Sequence, residues 1–94
     1  TPYLAMAATL SAGLAGMTER LEPSAPQQDN AYLQPRELPL TFSEALATLG
    51  RSVHAPRLLG ADFVRGYVAV KALEHDHYLA EVSAWERRYL LPLV

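Results

Sequence analysis

The chain has 94 residues, half of them hydrophobic and 19% charged, with a net charge of −2 and no cysteine. That length holds at most one small domain, and such a chain buries only about 60–65% of its unfolded surface. The near-neutral balance argues against nucleic acid as the main partner, and the lack of cysteine removes disulfides, thiol nucleophiles and thiolate metal sites, which suits a reducing cytosol.

The first predicted element is a helix with no charge in its first seventeen residues, TPYLAMAATLSAGLAGM. Thr1 suits the N-cap and Pro2 the first helical position, where a missing N–H costs nothing. Leu4, Ala7, Ala8, Leu10, Leu14, Met17 and Leu21 recur at helical spacing, and small residues fill much of the rest. Gly13 and Gly16 cost roughly 1 kcal/mol each against alanine, so a closely approaching backbone is expected there. Pro23 is expected to end the helix. No cation precedes the apolar run as a secretory signal requires, and the run falls short of the roughly 20 apolar residues of a membrane span. The pairs Ser11/Ala15 and Ala12/Gly16 suit close packing in a bilayer or in a soluble protein, and the length favours the second.

Residues 22–40, with four prolines, read as a long connection, pinned by Tyr32, Leu33, Leu38 and Leu40 rather than free. A second helix opens on the capping-box pattern Thr41-Phe42-Ser43-Glu44, carries Phe42, Ala45, Leu46 and Leu49 as its stripe, and is expected to stop at Gly50. After a link through Pro56, the longest helix runs from about Ala61 to Ser83, its face traced by Phe63, Tyr67, Val70, Leu73, His77 and Val82. Ser83 can cap a final turn over Ala84–Leu91, closed by Pro92. No segment alternates with period two, so the fold is mainly α: three to four helices with one Pro-rich loop.

Candidate chemistry is sparse. His75 and His77 point roughly 200° apart on a helix and cannot grip one metal ion, and Glu74 with His77 supplies only two ligands. Gly13 and Gly16 lie inside a helix, not in a phosphate loop after a strand. Nothing places a serine, a histidine and an acid together. Glu86-Arg87-Arg88 reads as a solvated or ion-paired surface, and Trp85 as a packing anchor. Read residue by residue, the chain offers no catalytic, cofactor-binding or metal-binding residue.

Three segments nonetheless resemble the glutamine synthetase family. PYLAMAATLSAGLAGM is similar to its helix reading Asn-Pro-Tyr-Leu, then Ala-rich residues and Ala-Gly-Leu-Asp-Gly. LPLTFSEALATL is similar to its leucine-proline spacer and Leu-Glu-Glu-Ala-Leu helix, and LLGADFVRGYVAVKALEHDHYLAEVSAWERRYLL to its C-terminal helix ending in Trp-Glu-Arg. Lys71-Ala72-Leu73-Glu74 and Trp85-Glu86-Arg87 are closest to the branch joining glutamate to amines, such as gamma-glutamylputrescine synthetase.

The resemblance implies that residues 1–94 form the C-terminal helical segment of an α+β catalytic domain, the first helix packing on a β-sheet active-site barrel. It implies a parent ligase using ATP and Mg²⁺ or Mn²⁺ to join glutamate to ammonia or an amine, as a ring-shaped homo-oligomer. The family's metal, ATP and glutamate residues would lie upstream of Thr1, leaving this segment structural and inactive alone. Asn30-Ala31-Tyr32 sits where some members carry Asn-Leu-Tyr with an adenylylated tyrosine, which makes Tyr32 a candidate regulatory residue, although Leu33-Gln34-Pro35 departs from that pattern. The competing reading is an autonomous helical interaction module without catalysis. Neither reading involves nucleic acid or a membrane.

Overall fold

The computed structural model describes residues 1–94 and contains helices, turns and loops but no strand. Five α-helices follow in order: α1 (Pro2–Thr18), α2 (Phe42–Arg51), α3 (Ala55–Leu59), α4 (Ala61–Ala80) and α5 (Ala84–Tyr89). Single 3₁₀ turns lie at Ala31–Leu33 and Leu91–Leu93. The mainly α reading holds, and α3 is an element that the link through Pro56 did not announce.

The caps explain where the helices begin. The Thr1 hydroxyl accepts from the Leu4 N–H with Pro2 at the first helical position. Thr41 and Glu44 close a full capping box, the Glu44 carboxylate accepting from the Leu40 and Thr41 N–H groups and the Thr41 hydroxyl from the Glu44 N–H. Ser83 and Glu86 repeat the device at α5. Each box satisfies N–H groups that an α-helix leaves orphaned at its start.

Several ends differ from expectation. α1 stops at Thr18, before Pro23, because Arg20 turns into the left-handed region at φ 53°. The Leu21 N–H then donates to the Gly16 carbonyl and the Arg20 N–H to that of Met17, at 2.9 and 3.2 Å. The Leu21 side chain folds back over Gly16. This is the paired-bond C-terminal motif usually built on glycine, and it removes Leu21 from the helical stripe. Gly50 does not end α2, which continues to Arg51 and stops where Ser52 turns extended. The Ser52 hydroxyl then accepts from the N–H groups of His54 and Ala55, starting α3. α4 ends at Ala80 rather than Ser83, since Glu81 is already extended. α5 ends at Tyr89, and Pro92 sits within the following 3₁₀ turn instead of closing the helix.

α4 is the spine, with α2 and α3 packed on it and α1 packed on α3. Its inward side is Val64, Tyr67, Val68, Lys71, Ala72 and His75, at helical spacing. The expected face shares only Tyr67 with this set; Phe63, Val70, Leu73, His77 and Val82 are exposed. α4 carries apolar residues round most of its circumference, so periodicity alone did not choose the side that α2 and α3 cover. Val64, 6% exposed, is the one buried residue of the chain.

α1 inverts expectation in an informative way. The side turned towards its own chain carries Leu4, Ala8, Ser11, Ala15 and Gly16, mostly small. Leu10, Leu14 and Met17 lie on another arc and are 69%, 64% and 77% exposed. The connection after α1 is not pinned either: Tyr32, Leu33, Leu38 and Leu40 are all exposed.

The dimensions quantify the openness. The Cα radius of gyration is 18.2 Å, against about 12 Å for a compact domain of this length. Accessible surface is 8615 Å², about 3,200 Å² more than a compact monomer of this mass exposes. Part of that excess is the extended 21–40 connection; much of the rest is apolar helix.

Candidate functional site

No three His, Asp or Glu side chains are placed to hold a metal ion. Arg36 and Arg51 share a shallow surface depression with Glu37 and Glu44, so its charge is mixed. These residues fit neither a divalent metal nor a nucleotide phosphate chain.

The site residues weighed from sequence each find another place. His75 is not paired with His77: its Nε2 lies 2.7 Å from the Ser43 Oγ, and its ring packs against Phe42 at 5.1 Å between centroids and Tyr78 at 6.2 Å. It therefore ties α2 to α4, a role that the sequence reading missed because the two residues are 32 positions apart. Glu74 pairs with Lys71, which also lies over the Tyr67 ring at 5.8 Å. The hydrogen bond that Lys71 donates to the Glu74 carboxylate raises the Lys71 pKa above the usual lysine value, outweighing desolvation. Glu86 is held below the usual carboxylate range by the Ser83 N–H that it accepts from, with the Ser83 side chain adding to the effect. Trp85 is no interior anchor: it packs on Tyr89, at 5.3 Å between centroids, and stays largely exposed. Tyr32 projects from its 3₁₀ turn, 97% exposed.

The prominent feature is instead a surface in two parts. The outer side of α1 presents Tyr3, Met6, Leu10, Leu14 and Met17 as one apolar strip. On the other side of α1, an open cleft of about 320 Å³ runs between Leu4, Ala5 and Ala8 and the Phe63 and Tyr67 side of α4. No helix is long and apolar enough to cross a membrane. Gly13 has nothing of its own chain within 4 Å of where a Cβ would be, and at Gly16 only the Leu21 side chain comes so near. The close backbone expected at these glycines is therefore not found among residues 1–94.

Fold and surface together define an all-helical chain with one buried residue and a broad display of exposed apolar side chains. The chain belongs to the glutamine synthetase family: the family described as glutamine synthetase, catalytic domain, matches residues 1–90. A glutamine synthetase of Staphylococcus epidermidis is 35% identical over 95 residues, covering 92% of this chain and 21% of the relative. One from Staphylococcus aureus is 34% identical with the same coverage. The chain thus spans about a fifth of the length of the curated relatives it matches. No solved structure matches it.

Proposed function

We propose that residues 1–94 are the C-terminal helical segment of a glutamine synthetase-type ligase, and that α1 is a lid laid over the upstream catalytic region. The family match over residues 1–90 sets the class, and the observation that carries the lid is the exposure of Leu10, Leu14 and Met17. A side chain of that size gains roughly 1.5–3 kcal/mol when fully buried, so three in a row form a docking strip rather than a solvated face.

In the longer protein, ATP with Mg²⁺ or Mn²⁺ supplies activation of the glutamate γ-carboxylate for capture by ammonia or an amine. The segments Lys71–Glu74 and Trp85–Arg87 favour the amine-using branch, of which gamma-glutamylputrescine synthetase is the type. This segment supports assembly of a ring-shaped, cytoplasmic homo-oligomer and contributes no catalytic residue. Tyr32, exposed on its turn, is a candidate for regulatory modification.

The test compares the 94-residue chain with the longer protein for glutamate-dependent phosphate release from ATP, using ammonia and putrescine in parallel. The longer protein is expected to turn over with one of them and the 94-residue chain with neither. Turnover by the 94-residue chain alone overturns the reading, as does a longer protein that uses neither acceptor.

A further inference from the structure

Where α4 gives way to α5 a separate cleft of about 350 Å³ opens, lined by Tyr78, Leu79, Glu81, Ser83, Trp85 and Glu86. Its only charged side chains are the two glutamates. Neither has a cationic partner, since the ion pairs of the chain are Arg57 with Glu19, Arg65 with Asp62 and Lys71 with Glu74. Glu86 accepts the Ser83 N–H through Oε2 at 2.7 Å, which favours its charged form and leaves Oε1 open. Arg87 turns its guanidinium to the Val82 carbonyl at 3.4 Å and does not line the cleft. The two aromatic rings are each braced by another ring, Tyr78 by His75 at 6.2 Å and Trp85 by Tyr89 at 5.3 Å.

Unpaired carboxylates beside exposed aromatic rings and a leucine suit an organic cation. The rings attract an ammonium group through their π-faces and offer apolar surface to a methylene chain. A hard divalent ion instead needs roughly six oxygens, far more than two carboxylates and a serine hydroxyl already engaged in a cap supply. The volume lies at the lower end of the roughly 300–1,000 Å³ typical of small-molecule sites. We propose that this cleft binds a short alkyl diammonium ion, one ammonium group at each of Glu81 and Glu86 and the methylene chain along Leu79, Tyr78 and Trp85. Two positive charges match the two carboxylates, and the bound ion bridges the end of α4 and the start of α5 across residues 81–83. The site is built within residues 78–86 and does not rest on the ligase reading.

The test uses the longer protein containing 5-fluorotryptophan, with the Trp85 fluorine resonance identified by its loss in Trp85→Phe. 1,4-Diaminobutane is titrated at pH 7 and constant ionic strength, without ATP or glutamate, so that no turnover intervenes. The Trp85 resonance is expected to move and saturate, with half-saturation on the order of millimolar because exposed cation–π and charge contacts are individually weak. Butylamine, of the same length with one charge, is expected to bind at least threefold more weakly, and uncharged 1,4-butanediol to leave the resonance in place. A resonance that stays fixed up to about 50 mM diamine, well above that range, overturns the proposal. So does butylamine binding as tightly as the diamine, or butanediol moving the resonance equally.

Two variants tie the response to the cleft rather than to diamine bound elsewhere in the longer protein. Glu81→Gln is expected to weaken diamine binding at least threefold, and Glu81→Lys, which supplies a cation of its own, at least tenfold. Both are expected to keep the helical circular dichroism of the unaltered protein. Unchanged diamine affinity in either variant overturns the proposal. A longer protein that uses no amine as acceptor contradicts the ligase reading and leaves this titration as it stands.

Discussion

The α2–α4 pair carries charged residues and α1 carries none, yet it is the pair that covers itself and α1 that stays open. α2 and α4 cover one another, with Val64 buried, Ser43 bonded to His75, and a Gly50 Cβ position 3.8 Å from Val68. α1 gives its own chain a side of small residues and keeps its large ones outside. α1 is thus held in place through α3 while its large apolar side chains remain in water. A helix of this length is marginal in water without tertiary packing of its apolar side.

The sharpest way to break the comparison is a charge on each side of it. Leu14→Glu is expected to leave the helicity and thermal stability of the 94-residue chain almost unchanged, because the side chain is already in water. In the longer protein, where α1 is proposed to lie over the catalytic region, the same change is expected to bury an unpaired carboxylate. Ligase activity there is expected to fall at least about 100-fold, with loss of assembly seen by gel filtration. Equal effects in both contexts would erase the distinction.

Val64→Ala probes the other region. Removing two methyl groups from the one buried position is expected to cost about 2 kcal/mol, read as a lowered denaturation midpoint of the α2–α4 signal. The amide exchange of α1 is expected to stay as it was.

The smallest effect is at α5. The Glu86 pKa is lowered by the Ser83 N–H, so its carboxylate form is favoured in the folded helix. The cap's contribution is therefore full above the unfolded value of about 4.3 and lost as pH falls through the lower folded one. Acid titration by NMR is expected to shift the Ser83 amide together with Glu86, and Glu86→Gln to abolish the pH dependence.

Capping chemistry was the most legible part of this fold. Thr1, Thr41 with Glu44, and Ser83 each begin the helix that their side chains predict, since a cap is a contact between residues three apart. Helix ends were less legible. Arg20 occupies a left-handed position that usually goes to glycine, at a cost of roughly 1–2 kcal/mol, so no residue type signalled it. The direction of each apolar face was the least legible. α1 is uncharged all round and α4 apolar on most sides, and which side is covered depends on neighbours distant in sequence. Ser43 and His75 met for the same reason, and no local pattern pointed to their pairing. The family was readable from three segments in order.

Amide hydrogen exchange across α1, measured in the 94-residue chain and in the longer protein, tests most directly whether this helix depends on surfaces outside residues 1–94. Nearly free exchange is expected from Met6 to Met17 in the shorter chain, and at least 100-fold slowing in the longer one. Equal protection in the two would contradict it.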